Sequence, residues 1–172
     1  RRKRDCRKMV KLNLGCGFDH KPQSEGWINI DINPSLRPDV LFDLDRTLYE
    51  LEIPNENKTG GYTRKIERGD IDEIVIRHCL EHLNQNRFFK LMNELWYLCK
   101  SNTTITIIVP HWQQEAAFEP DHKWVYPPRS FKMIVDSTYH HLIAPAQFEI
   151  IELIEKDDAK EPQTKVVYKV IK

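Results

Sequence analysis

The chain has 172 residues, 40% of them hydrophobic, and its 26 basic and 26 acidic side chains cancel to a net charge of +0. That length suits one well-buried core and is short for two. Balanced charge argues against a generally basic nucleic-acid binder and against an acidic solvating chain, and the longest purely aliphatic run, Ile107 to Val109, is far too short to span a membrane.

In chain order, residues 1–8, RRKRDCRK, read as a solvated basic tail and leave 9–172 as a single domain. No hydrophobic signal segment opens the chain. Cys6, Cys16, Cys79 and Cys99 show no CxxC spacing, so the expectation is a cytoplasmic protein with reduced thiols. Met9 to Leu14 suits a first strand that stops at Gly15. GWINIDI from Gly26 and DVLFDL from Asp39 repeat the pattern, each ending near an Asp. DEIVIRHCL supplies a fourth strand. TTITIIVP from Thr103 supplies a fifth, apolar on consecutive residues as expected when both faces of a parallel sheet are covered.

Between the fourth and fifth strands, Phe88, Leu91, Met92, Leu95, Trp96 and Cys99 recur at the helical period, with Asn84 as the expected cap. A second helix is expected from Pro127 or Pro128, with Phe131, Ile134, Val135 and Tyr139 on one side. FEIIELIE and TKVVYKVI read as a terminal antiparallel pair, and Asn55 to Gly69 as a surface loop. Strands alternating with helices before a late hairpin argue an open α/β sheet. Only INPSLRP separates the second and third strands, which is short for a parallel crossover.

In such a sheet ligands sit beyond the carboxyl ends of the strands, where strand order reverses. Gly15 and Gly17 stand at such an end and permit a sharp turn with close approach to peptide N–H groups. Asp31, closing the next strand, is suited to holding both hydroxyls of a ribose. A dinucleotide fingerprint would need a third glycine where His20 stands, and the nine residues between Gly17 and Trp27 leave little room for a pyrophosphate-binding helix. A nucleoside without phosphates fits better.

The segments LNLGCG, GWINIDI, DVLFDL, HCLEHL and IIVP, in that order, resemble the class I S-adenosylmethionine-dependent methyltransferases, in particular compact bacterial and phage-type members whose first helix is reduced to a loop. The resemblance covers about residues 9 to 171. It implies a Rossmann-like sheet of about seven strands in the order 3-2-1-4-5-7-6, mostly parallel with a reversed C-terminal strand, and few helices in the N-terminal half. It implies S-adenosyl-L-methionine as cofactor and S-adenosyl-L-homocysteine as product. Leu14, Gly15, Cys16 and Gly17 would pass the methionine and ribose portion, Asp31 would bind the ribose diol, Ile32 would lie on the adenine, Asp43 and Leu44 would meet the adenine edge, and His78 would face the methionine end. The family usually has a glycine pair before its fifth strand, where this chain has KSNT.

A sulfonium methyl is already activated, so the protein must align an acceptor and accept a proton where needed. Histidine suits that task. His111, directly after the fifth strand, is the first expectation, followed by His82 and His122. Trp112, Trp124 and Tyr126, in the loop from His111 to Ser130, are candidates for stacking on an acceptor ring. The segment HCLEH matches the HxxEH arrangement of zinc peptidases, which needs a helix throughout, but a strand runs into it here, so no metal is expected.

The expected reaction is methyl transfer to oxygen or nitrogen of a small-molecule or saccharide acceptor. Nucleic acid and membrane are not expected as partners, and an oligomer is compatible with the sequence. Two alternatives remain. One is a catalytically weak partner module of the same fold, suggested because the N-terminal helix that covers the cofactor in many members has no counterpart in this sequence. The other is metal-dependent O-methyl transfer through His78, Glu81 and His82, as in relatives that hold an ion with ExxEH.

Overall fold

The computed structural model describes residues 10–55, 61–156 and 162–172; the basic run at 1–8 and Cys6 lie outside them. Along these residues run β1 (Val10–Leu14), β2 (Trp27–Asp31), β3 (Val40–Leu41), β4 (Glu52–Pro54), β5 (Thr63–Lys65), β6 (Ile71–Arg77), α1 (Arg87–Leu98), β7 (Cys99–Pro110), α2 (Pro128–Lys132), β8 (Gln147–Lys156) and β9 (Gln163–Ile171). Seven strands form one sheet in the order β3-β2-β1-β6-β7-β9-β8, and β4 with β5 forms a separate antiparallel pair. Strands β3 to β7 of the main sheet are parallel, whereas β9 runs antiparallel to both its neighbours. With the small pair set aside, this is the expected order 3-2-1-4-5-7-6 with a reversed C-terminal strand.

Register explains the core. Ile30, Leu14, Ile76, Ile107 and Val166 stand side by side across five strands, and Leu12, Ile74, Ile105 and Tyr168 form a second row on the same face. All nine are 0% exposed and share one hydrophobic cluster with Phe88, Leu91, Met92, Leu95 and Leu98 of α1 and Phe131 of α2. Each buried aliphatic side chain of this kind contributes about 1.5–3 kcal/mol. The opposite face carries Thr104, Thr106 and Ile108 of β7, all half-buried. The expectation that β7 is covered on both faces is therefore corrected: its burial alternates, because the helices lie on one side. Near β1 and β2 that second face is covered by the 15–26 loop rather than a helix. Loop backbone needs polar partners, and buried Asn13 and Asn29 supply them: Asn13 Nδ2 donates to the Asp19 carbonyl at 2.7 Å, and Asn29 exchanges bonds with the Lys21 backbone at 2.8 and 3.0 Å.

The short second crossover is possible because β3 pairs with β2 through only two residues, Ile30 with Val40 and Asp31 with Leu41. The 3₁₀ turn Pro34–Leu36 and left-handed Arg37 (φ 53°) fold the linker back within that length. Before the long part of β7, within KSNT, Asn102 takes φ 65°, as asparagine can. Other expectations are corrected. Helix α1 begins at Arg87 after Asn86, with Asn84 bonded instead to Asp45, and Cys99 is already strand. Helix α2 is five residues long, so Phe131 and Ile134 are buried while Val135 is exposed. Part of the expected loop from Asn55 to Gly69 is β5, paired with β4. No helix of the described residues is long and apolar enough to cross a membrane.

Candidate active site

At the carboxyl ends of β1, β2, β3 and β6 the sheet opens into a cavity of about 630 Å³, within the roughly 300–1,000 Å³ span of small-molecule pockets. It lies where strand order reverses between β1 and β6. Its floor is the turn after β1. Gly15 has φ 67° and Gly17 φ 51°. A Cβ placed on Gly15 would collide with the Cys79 thiol, so the glycine is required by space as well as by conformation. The turn is fastened to β2 by Cys16 N donating to the Ile30 carbonyl at 2.9 Å and Gly17 N donating to Asp31 Oδ2 at 2.9 Å.

Asp31 therefore points into the glycine turn. Its Oδ1 accepts from Asn33 N at 2.9 Å, so two backbone donors fix the carboxylate, and each oxygen keeps a further lone pair. Asp31, Gly15, Gly17, Ile32, Asp43, Leu44, His78 and His82 all line the cavity. Ile32 is 65% exposed, an apolar side chain presented at the mouth. Leu14 and Cys16 do not line it. Leu14 is packed in the core, and the Cys16 side chain is buried beneath the turn, where burial first and the Asp31 carboxylate next push its thiol up to about 11.

Asp45, which the sequence reading passed over, joins the walls. Its carboxylate accepts from Asn84 N at 2.8 Å and Asn84 Nδ2 at 2.7 Å, and Lys123 Nζ lies 3.5 Å away. Asp121 and Lys123 bring the loop after β7 to the cavity, and Phe42, Leu36 and Asn33 complete the side under Ile32. The signal available for Asp45 was its place one residue beyond the Asp43–Leu44 pair; nothing in the sequence marked Lys123.

The histidines separate. His111 is 3% exposed and does not line the cavity: its backbone N–H donates to the Pro162 carbonyl at 3.1 Å and its Nε2 lies 3.4 Å from Glu155 Oε1. The expectation of His111 as proton acceptor is corrected, because β9 pairs along β7 up to Pro110 and takes the next residue into the terminal hairpin. Trp112 follows it, donating from Nε1 to Glu155 at 3.0 Å. Tyr126 is buried against Phe131 and Phe88 and Trp112 is half-buried, so Trp124, 39% exposed, is the most open of the expected three.

His78 follows β6 with φ 46°, a strained value for a non-glycine residue, and its N–H donates to the Ile108 carbonyl at 2.9 Å. The chain then makes the 3₁₀ turn Leu80–His82, so HCLEH is a bend and not one helical face. His82 and His122 meet edge to face with ring centres 4.7 Å apart. Glu81, His82 and His122 each bring one donor atom within 4.8 Å of the others, a spacing that a small cation could bridge; His78 is outside this group. The loop after β7 is held there by Lys123 N and Trp124 N, which both donate to the Glu81 carbonyl, at 2.7 and 3.2 Å.

No protein-family model matches the chain, and no curated protein sequence does. Solved structures do. A SAM-dependent methyltransferase from Archaeoglobus fulgidus superposes with a TM-score of 0.62 at 17% identity, over 95% of this chain and 87% of that one. An S-adenosylmethionine-dependent methyltransferase from Mesorhizobium loti gives 0.55 at 11% identity, over 94% and 91%. The N-methyltransferase NodS from Bradyrhizobium japonicum WM9 gives 0.55 at 10%, over 95% and 86%. The chain has the fold of class I S-adenosylmethionine-dependent methyltransferases along nearly its whole length.

Proposed function

We propose that the protein is an S-adenosylmethionine-dependent methyltransferase acting on oxygen or nitrogen of a small-molecule or saccharide acceptor. The observation that carries this reading is the Gly17–Asp31 junction: a carboxylate fixed by two backbone donors, on the wall of a cavity at the reversal of strand order, beside a turn that excludes any side chain at Gly15. The residues fit an adenosine-bearing cofactor. Asp31 offers its remaining lone pairs to a ribose diol, Ile32 and Phe42 offer apolar surface to a purine, and Asp43 and Leu44 stand beside them at the edge of the ring site. When bound, the cofactor supplies a methyl group already activated by positive sulfur.

The chain's own contribution is alignment and exclusion of water. The turn after β6, carrying His78 and His82, and the loop after β7, carrying Asp121 and Lys123, form the side of the cavity across from the adenosine end. Exposed Trp124 and Phe118 flank a second hollow of about 380 Å³, which also includes Lys123 and so adjoins the first. Stacking on such aromatic faces suits a sugar or planar acceptor.

Radiolabelled methyl transfer, read as S-adenosylhomocysteine formation across pooled metabolites, saccharides and RNA, tests the reading. Turnover that requires a saccharide or small-molecule pool and disappears in Asp31→Ala is the expected result. Turnover with RNA alone would overturn the acceptor class.

A further inference from the structure

Glu81 is 2% exposed, and neither of its carboxylate oxygens has a hydrogen-bond partner among the described residues. A buried acid left in that state is costly without a balancing charge or donor. The polar groups around it supply neither. Tyr126 turns its hydroxyl to the Leu80 carbonyl at 3.4 Å, and the Lys123 ammonium lies at Asp45. His78 Nδ1 stands 3.5 Å from Oε1 without a hydrogen bond to it, and Oε2 has nothing at all. His122, close by, shares the deficit: its side chain is 6% exposed and its Nδ1 has no partner.

Glu81, His82 and His122 each bring a donor atom within 4.8 Å of the other two. Donors held about 2.0–2.2 Å from one ion can stand up to about 4.4 Å apart, so small side-chain movements would close this set around a cation. Two elements meet here. Glu81 and His82 belong to the turn after β6 and His122 to the loop after β7, and Lys123 N and Trp124 N pin that loop to the Glu81 carbonyl. His82 Nδ1 also lies 3.3 Å from the Asp121 carbonyl and 3.5 Å from its carboxylate, contacts of the kind that orient metal-bound imidazoles. A second set, Glu119, Asp121 and His122, meets the same spacing. Exposure separates the two. The Glu119 and Asp121 side chains are 59% and 70% exposed and can be satisfied by water, whereas Glu81 is sealed from it.

We propose that Glu81, His82 and His122 bind one divalent transition-metal ion, which fastens the loop after β7 to the turn after β6. Two imidazoles and a carboxylate suit zinc and its first-row neighbours better than magnesium or calcium, which take oxygen shells. The ion balances the Glu81 charge and engages donors that the chain leaves bare. Glu81 and His122 lie outside the cofactor cavity while His82 stands on its wall. The ion therefore sits behind that wall, where it sets the position of Asp121 and Lys123 without touching the cofactor. The bend after β6 leaves His78 outside the group, so the second imidazole comes from the loop and not from the HCLEH spacing. This site does not depend on which ligand the neighbouring cavity takes.

Titration of the tag-free, chelator-stripped chain with Co²⁺, followed by its visible absorption, and competition with Zn²⁺ test the site. One equivalent bound with a dissociation constant of about 1 μM or less is the expected result, below the free-ion levels at which exposed acids bind weakly. Glu81→Gln and His122→Gln should each weaken binding by about tenfold or more, since even the outer partners of a metal site are worth that much. Glu119→Gln, in the exposed set, should stay within about twofold of wild type. If Glu81→Gln does not fold, His122→Gln carries the comparison. Loaded protein should resist trypsin at Lys123 longer than stripped protein, and Glu81→Gln should erase the difference. No stoichiometric binding to the wild-type chain, or binding lost in Glu119→Gln and kept in Glu81→Gln, overturns the site. Bound metal that leaves cleavage at Lys123 unchanged overturns its fastening role. Titration of the same stripped protein with S-adenosylhomocysteine reports separately on the cavity, so the metal site and the cofactor reading can fail independently.

Discussion

Gly15 and Gly17 bracket one turn, yet different things constrain them. Both have positive φ, but only Gly15 has a neighbour where a side chain would go, the Cys79 thiol and its Cβ. Gly15→Ala should cost about 3 kcal/mol, the sum of left-handed strain and overpacking, whereas Gly17→Ala should cost about 1 kcal/mol from strain alone. Urea midpoints of the two variants check the difference; equal losses would mean that Cys79 does not enforce the close approach. At this scale the sequence was informative where one residue type has one physical use. A glycine after a strand and an acid ending the next implied a turn facing a carboxylate, and Asp31 does receive the Gly17 N–H. It was uninformative for His111, because position after a strand does not say which flank a later hairpin will cover. Glu81 was marked only as a member of the HCLEH segment; its burial without a hydrogen-bond partner is a property of packing, invisible in a run of letters.

Helix α1 does more than cover the sheet. Arg87, 5% exposed, donates from Nε to the Leu44 carbonyl at 2.7 Å and from Nη2 to the Arg46 carbonyl at 2.8 Å, and pairs with Glu94 at 2.6 Å; Glu94 in turn accepts from Leu48 N at 2.9 Å. The loop that carries Asp43 and Leu44 to the cavity is thus fastened to the helix by one buried ion pair. Arg87→Met should lose about 3–5 kcal/mol, because Glu94 stays behind without its partner. Changing Arg87→Met and Glu94→Leu together should cost less than the single change. Denaturant unfolding of the three variants decides this, and additive losses would show that the pair is not coupled. The helical period of α1 was legible from Phe88 to Leu95. Its start was not, since Asn84 was a plausible cap until Asp45 proved to hold its side chain. The β4–β5 pair escaped notice because Thr63–Lys65 has no apolar alternation, its side chains being exposed or half-buried.

For the whole molecule, the alternation of strands and helices before a late hairpin made an open α/β sheet legible, whereas the strand order followed from the resemblance of the ordered motifs and not from the alternation. The layer count was not legible. TTITIIVP reads as covered on both sides, but threonine is apolar enough to extend a hydrophobic run and polar enough to leave a face half-buried, as Thr104 and Thr106 do on the face opposite Ile105 and Ile107. Helices on one face and a polar-stitched loop over part of the other keep the glycine turn, Asp31 and the β6 turn in one rigid frame. Isothermal titration calorimetry with S-adenosylhomocysteine tests that frame as a cofactor site most directly, run on the wild-type chain and on Asp31→Ala. The account predicts one site per wild-type chain and at least a tenfold weaker site in the variant, the loss of about 1.4 kcal/mol or more expected for a charge-assisted bidentate contact. No heat and no thermal shift in the wild-type protein at millimolar ligand, or equal affinity in the two proteins, would contradict it.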